Sequence, residues 1–403
     1  MDTRQFDVVA IGAGPAGSRT AARIAQEGFS ALLLEKRERV GYPIRCAEAV
    51  GPRSAVERYL PLDESLISAQ IDGVLVVAPD GKRFEATMPA IGYTVDRELF
   101  DRRLAEAAVV AGAELRTGHQ AVGLLQENGK ISGVRIKDLD TSSEYNVTAK
   151  VVVGADGVEA LSPRWAGLKK SFRPEEIFSC AQELIEGIEV PGPFIEFHLG
   201  TRFAPGGYAW VFPKGDGKAN VGVGINSMKT LGRNALDYLN DFINHRCPAG
   251  IRRRLVIGGC AVARGLPSLA ADGFIAVGEA AHQNNPFSGG GIINALEGAD
   301  MAAEAIIQSL RNGTTSAKSL GTYTKQWRKS VGKTNEVFYQ AARIFYELSD
   351  EELNSVMRKA IKVPGIFDEK GVKPVRMLLA LLLSHPVLLF RYLRAITEGS
   401  GST

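Results

Sequence analysis

Residues 6–38, FDVVAIGAGPAGSRTAARIAQEGFSALLLEKRE, decide the fold. Asp7–Ile11 is a short apolar run, as a buried parallel strand is. Gly12, Gly14 and Gly17 follow at G-x-G-x-x-G spacing, and a helical pattern runs from Pro15 to about Glu27. A second apolar run, Ala31–Leu34, ends in Glu35. Strand, tight turn, helix and strand in this order form a dinucleotide-binding unit. Gly12 permits the turn, Gly14 lets the backbone approach a pyrophosphate, and Gly17 lets helix and strand pack closely. The helix N-terminus offers free N–H groups and a positive dipole end to that anion. Glu35 stands where a carboxylate accepts hydrogen bonds from a ribose diol, and it disfavours a 2′-phosphate there. A Gly-rich turn alone is an ordinary link between core elements. The second strand and its terminal acid raise it to a cofactor motif, without separating FAD from NAD.

The chain has 403 residues, room for about two or three domains. It is 45% hydrophobic, enough for a sizeable core, and its net charge of +3 is too mild to argue for nucleic acid. Four cysteines, Cys46, Cys180, Cys247 and Cys260, include no C-x-x-C pair. That pattern argues against a zinc site or a disulfide framework and fits a reducing compartment. The N-terminus enters the first strand directly, so a signal peptide is not expected. No apolar run is long enough for a membrane span. A cytoplasmic protein is the expectation. Gly399–Thr403 reads as a flexible tail.

Beyond Glu35, residues 42–49 (YPIRCAEA) read as a loop entering a helix. Cys46 there is either a small core residue or a thiol acidified by Arg45 and a helix start near the cofactor. Residues from about Leu66 to Met88 alternate around Asp80-Gly81, a hairpin signal. Asp96 is placed to cap the helix that follows, and Arg97 is either solvated or reaches toward a cofactor. Ala113–Arg116 and Ala121–Leu125 read as strands, with an Asn128-Gly129 hairpin turn after the second. A buried strand ends at Gly154-Ala155-Asp156-Gly157, and another at Gly278-Glu279. The second runs on through Ala280-Ala281-His282 into the Gly289-Gly290-Gly291 run that opens a helix at Ile292. A Gly-rich helix start can hold another part of an extended cofactor, and an acid at a strand end can hold a sugar or polyol hydroxyl. Tyr208, Trp210 and Phe212 alternate, so on a strand they share one face. That face is either ordinary core or an apolar wall. From Arg311 to Arg394 the chain reads as helical and carries 15 Lys/Arg against 7 Asp/Glu. It includes an apolar run, Met377–Phe390, interrupted by Pro386.

The N-terminal motif with Glu35, the Asp156-Gly157 strand end and the Gly278–His282 segment, in that order, resemble the flavoprotein hydroxylase-like superfamily. In place of that superfamily's usual second acid, Asp, this chain has Glu279. More narrowly, Arg45-Cys46-Ala47-Glu48 and the P-x-x-Y-x-W-x-F-P pattern at Pro205–Pro213 resemble the geranylgeranyl reductase family, whose archaeal phospholipid-reducing members are most similar. The resemblance covers the chain to about residue 310. It implies FAD contacts at Gly12, Gly14, Ala16, Gly17, Glu35, Lys36, Arg45, Cys46, Ala47, Ala49, Arg97, Ala121 and Val122. Further contacts are implied at Asp156, Gly157, Gly278, Glu279, Pro286, Gly289, Gly291 and Ile292. It implies a substrate wall at Tyr208, Trp210 and Phe212, with Gly371 and Val372 as further substrate contacts. It places Cys46 near the reaction centre, either as a proton donor or as a residue that only shapes the pocket, with His282 as the alternative proton source.

The expected fold class is α/β with α+β insertions. A Rossmann-type FAD-binding domain spans 1–65, 92–164 and 262–310. An antiparallel-sheet substrate domain spans 66–91 and 165–261, and a helical C-terminal region spans 311–403. The expected activity is reduction of isoprenoid double bonds in geranylgeranyl chains, the redox chemistry belonging to FAD. The alternatives are an FAD monooxygenase on an aromatic or apolar substrate, and a flavin-binding protein that is not an enzyme. No second G-x-G-x-x-G marks a nicotinamide domain, so the electron donor stays open between ferredoxin and NAD(P)H. The basic, apolar C-terminal region suits a buried helix pair or peripheral contact with an anionic membrane face.

Overall fold

The computed structural model describes residues 5–169, 171–190, 192–360, 367–368 and 371–372. The apolar run at 377–390 lies outside the described residues, as do 373 and 374 of the preceding turn.

The first sheet grows from the opening motif. Strand β1 (Gln5–Ile11) pairs in parallel with β2 (Ala31–Leu34), and α1 (Pro15–Gln26) makes the crossover. Val8, Val9, Leu32 and Leu33 are wholly buried, as the uniformly apolar runs require. Three more strands belong to the substrate layer: β3 (Ala49–Val50), β4 (Ile67–Val77) and β5 (Arg83–Val95), with α2 (Arg53–Val56) after β3. Helix α3 (Arg97–Val110) follows, its N-cap Asp96 accepting from the Leu99 N–H as expected. Strand β6 (Glu114–Arg116) then extends the first sheet beside β2. Strands β7 (His119–Glu127) and β8 (Lys130–Asp138) meet at Asn128-Gly129, both at positive φ, as the hairpin signal required. Strand β9 (Glu144–Gly154) pairs antiparallel with β8 in its first half and parallel with β1 in its second. After the short α4 (Leu161–Trp165), the chain leaves this sheet until β15 (Ala270–Ala271) and β16 (Phe274–Ala276), which closes beside β9.

The second sheet has eight strands in the order β14-β10-β13-β12-β11-β4-β5-β3. Its later members are β10 (Ile177–Glu186), β11 (Phe194–His198), β12 (Tyr208–Pro213), β13 (Lys218–Asn226) and β14 (Ile251–Ala261). One face is sealed by α5 (Ala235–Arg246), whose Leu239, Phe242 and Ile243 pack on Ala181, Val211, Val221 and Val223. The sheet is largely antiparallel, with one parallel pair, β11 with β4, which joins the early hairpin to the later strands. Two details differ from the sequence reading. The hairpin runs to Val95, and residues 42–49 lead into strand β3 against Tyr93 and Thr94, not into a helix.

Among the described residues the C-terminal part is helical as far as 360: α6 (Ile292–Arg311), α7 (Ala317–Leu320), α8 (Thr322–Lys329), α9 (Val331–Phe345) and α10 (Asp350–Ala360). Helix α6 packs on α1, where Arg19 pairs with Asp300 at 2.6 Å. A two-residue hairpin, β17 (Phe367–Asp368) with β18 (Gly371–Val372), ends the described chain. No helix among the described residues is long and apolar enough to cross a membrane.

Candidate active site

The C-terminal ends of β1, β2, β9 and β16 face the open side of the second sheet across a cleft of about 410 Å³. Crevices at this end of such sheets are where ligands bind. Ala13, Gly14, Ala16 and Glu35 line one part, and Glu279 and Gly289–Ile292 line another. Cys46, Tyr208, Trp210 and Phe212 line the wall.

The turn after β1 is set by packing. Gly12 sits at φ +100°, and a Cβ on Gly17 would lie 1.9 Å from the Gly12 carbonyl oxygen. These two glycines shape the turn, while Gly14 has open space before it. Glu35 ties the turn to the second strand, accepting from the Ala13 N–H at 3.1 Å and the Arg37 N–H at 3.0 Å. The N-caps of α1 and α6 are Gly14 and Gly291, and neither end is capped by a side chain. Two helix ends with free N–H groups thus open on one cleft, an arrangement suited to an extended, anionic dinucleotide. Glu279 accepts from the Ala261 N–H through Oε1, which leaves Oε2 for a polyol hydroxyl. Burial pushes its carboxyl up. These residues fit FAD. Glu35→Ala weakens FAD binding by about 1.5–3 kcal/mol, the scale of a charged hydrogen bond. Titration of apoprotein with FAD checks this, and an unchanged affinity means that Glu35 only braces the turn.

The cysteine loop is held by a buried clamp. Gln182 donates to the Cys46 carbonyl at 3.0 Å and accepts from the Trp210 indole N–H at 3.1 Å. Asn220 donates to the Ala47 carbonyl at 3.2 Å and to Glu48 at 2.7 Å. Lys214 pairs with Glu48 at 2.7 Å and also donates to the Val95 carbonyl. Glu48 adopts φ +71°, which turns its N–H onto the Cys46 sulfur at 3.2 Å. Burial pushes the thiol pKa up, and Arg97, the strongest opposing charge, does not reverse this. Arg45, the cation of the acidified-thiol alternative, instead reaches toward Glu159 at 3.7 Å and packs alongside Gly258. With no helix start there either, Cys46 is a neutral thiol. Arg97 is not solvated, since Asp101 takes its guanidinium through two hydrogen bonds while both line the cleft.

Other expected site residues stand elsewhere. Both Asp156 oxygens accept from Ser162, which ties this acid to the first turn of α4, and Asp156 is not among the described lining residues of the cleft. Gly157 does line the cleft, as do Gly278, Ala47 and Ala49. Lys36 pairs with Glu159 at 2.5 Å, and Ala121 and Val122 sit within β7. None of these three is among the described lining residues, and neither is Pro286. His282 is also outside that lining. Its Nδ1 donates to the Arg264 carbonyl at 3.0 Å, so Nε2 accepts from Lys169 at 2.9 Å. Burial, then Lys169, lowers its pKa to about 4, leaving no spare proton at neutral pH. Gly371 and Val372 form their hairpin, and their side chains are not described. The sequence reading missed Cys180 and Cys260, which share the cleft with Cys46. No local pattern marks them, because strand pairing alone brings them there.

Fold and cleft together define an FAD-dependent oxidoreductase with a Rossmann-type cofactor domain. Residues 176–262 match a geranylgeranyl reductase catalytic domain, 76–193 an FAD binding domain, and 11–59 an NAD(P)-binding Rossmann-like domain. A digeranylgeranylglycerophospholipid reductase of Methanosarcina acetivorans is 40% identical over 87% of each chain. One of Methanocella arvoryzae is 37% identical over 96% of this chain and 97% of its own. A geranylgeranyl bacteriochlorophyll reductase-like protein of Thermoplasma acidophilum superposes with a TM-score of 0.89. It is 29% identical, covering 96% of this chain and 98% of its own. The chain belongs to the digeranylgeranylglycerophospholipid reductase family.

Proposed function

We propose that this chain reduces the isoprenoid double bonds of geranylgeranyl chains carried on a membrane glycerophospholipid precursor. The observation that carries this reading is the aromatic face of β12. Tyr208, Trp210 and Phe212 line the same cleft as the uncapped ends of α1 and α6 and the Cys46 thiol. Bound FAD, once reduced, supplies the hydride for one alkene carbon. The protein's part is to hold the alkene, exclude water and place a proton. Trp210 and Phe212 are each 7% exposed and present apolar surface. Tyr208 is anchored through its hydroxyl to the Ser288 carbonyl. Cys46 Sγ holds a proton on the cleft wall. A monooxygenase pocket needs polar groups free to orient an aromatic substrate, and here the cleft-lining amide of Gln182 is already spent on Trp210 and the Cys46 carbonyl.

Anaerobic incubation with dithionite and a geranylgeranylated glycerolipid tests the proposal. Mass spectrometry should show gains in steps of two hydrogens, and a lipid of unchanged mass refutes it. Trp210→Ala removes the centre of the wall and should lower kcat/KM for the lipid by about tenfold or more, while FAD stays bound. Equal loss of FAD and of folded protein would make Trp210 a core residue only.

A further inference from the structure

Strand β14 presents two different sets of side chains. Val256, Gly258 and Cys260 line the cleft. Among the described residues, Ile251, Leu255 and Ile257 are left 53%, 44% and 52% exposed, on the edge of the sheet. Long, apolar, uncovered edge strands are rare, because they invite pairing and aggregation. This one holds three consecutive arginines. Arg252 pairs with Glu183 and Arg253 with Glu186. Arg254 has no carboxylate partner among the described residues, and its Nε is buried without a hydrogen bond.

Register shows where Arg254 stands. It lies opposite Leu184, which lies opposite Asn220, which lies opposite Phe212. Arg254 is therefore on the cleft face, in the row of Phe212, three strands or about 14 Å away. Val256, the next residue on that face, belongs to the row of Gln182, Gly222 and Trp210. A register shift between Leu184 and Ile185 leaves Arg253 as the extra residue and puts Ile251 on the cleft side, while Leu255 and Ile257 share the α5 side. Apolar residues thus flank the edge on both faces, with an unpaired cation between them.

We propose that β14 is the edge by which the protein sits on an anionic glycerophospholipid bilayer. Ile251, Leu255 and Ile257 enter the acyl boundary, and Arg254 takes the phosphate of the lipid whose isoprenoid chain passes Val256 into the cleft. The phosphate assignment rests on the substrate reading above; the docking does not. Interfacial binding of this kind needs apolar area together with cationic attraction, and both are here. A second copy is disfavoured as the occupant. Antiparallel pairing of residues 251–257 of two copies would centre on Arg254 and set arginines against arginines.

Flotation with vesicles of phosphatidylcholine, with and without phosphatidylglycerol, tests the proposal. Wild-type holoprotein floats, more strongly with phosphatidylglycerol. Leu255→Ser/Ile257→Ser lowers partitioning about tenfold or more, yet keeps its flavin and its turnover of detergent-dispersed substrate. Arg254→Gln floats on neutral vesicles as wild type does and loses about fivefold of the gain from phosphatidylglycerol. The proposal is overturned if wild type does not float, or if the double variant floats equally well. It is also overturned if sedimentation velocity shows a wild-type dimer that the double variant breaks. If docking behaves as stated but no lipid is reduced, the edge stands and the substrate reading falls.

Discussion

Cys46→Ser retains FAD and loses about 10²–10⁴-fold of its alkene-reduction rate, the range of a general-acid contribution. The substitution keeps the side chain's shape and replaces a thiol by a far weaker acid. The loop should survive it, because Gln182 and Asn220 hold the backbone carbonyls of Cys46 and Ala47, not the sulfur. Burial keeps the thiol protonated against the pull of Arg97, which a proton donor requires. The sign of the pH dependence follows. The raised pKa keeps the competent, protonated form through neutral pH, and the rate falls only in alkali as the thiol ionises. The measurement is anaerobic single turnover, with reduced flavin reoxidised by the geranylgeranylated lipid. Reoxidation at the parent rate would make Cys46 a packing residue of the cluster around Val56, Tyr93 and Phe100.

Lys214→Met costs about 3–5 kcal/mol of stability, the scale for leaving one member of a buried ion pair uncompensated. Side-chain exposure is 12% for Lys214 and 3% for Glu48, so neither charge is well solvated. After the substitution Asn220 still donates to Glu48, but a neutral amide does not balance the carboxylate. Lys214→Met/Glu48→Gln should recover most of the loss, because the buried charge goes with its partner. Urea unfolding of the apoprotein reads both. A Lys214→Met midpoint equal to wild type would show that water reaches Glu48 and that the clamp contributes little.

What could be read in the chain was local. The strand–turn–helix–strand of residues 6–38 specifies its own geometry, because Gly12 and Gly17 sit where a side chain has no room. The Asp96 cap and the Asn128-Gly129 turn are likewise satisfied within a few residues. Period-2 spacing put Tyr208, Trp210 and Phe212 on one face. The P-x-x-Y-x-W-x-F-P pattern and the cysteine motif carried the family, which the comparisons show.

Tertiary structure decided the electrostatics and the company each residue keeps. Arg45 is next to Cys46 in sequence, yet Arg97 is the cation that acts on the thiol, because folding brings the N-terminus of α3 beneath the loop. Asp156 ends a strand as a hydroxyl-binding acid would, yet the following turn returns Ser162 to take both its oxygens. His282 follows Glu279 closely, but the Arg264 carbonyl and Lys169 set its tautomer, and burial, then Lys169, depresses its pKa. Gln182, Asn220 and Arg254 carry no motif, and their places on the cleft face exist only once β10, β13 and β14 pair in register. Lys214, just after β12, meets Glu48 only because the fold brings these distant segments together. Sequence determined what the backbone needs over short range, and the pairing of distant strands determined which side chains meet across the cleft.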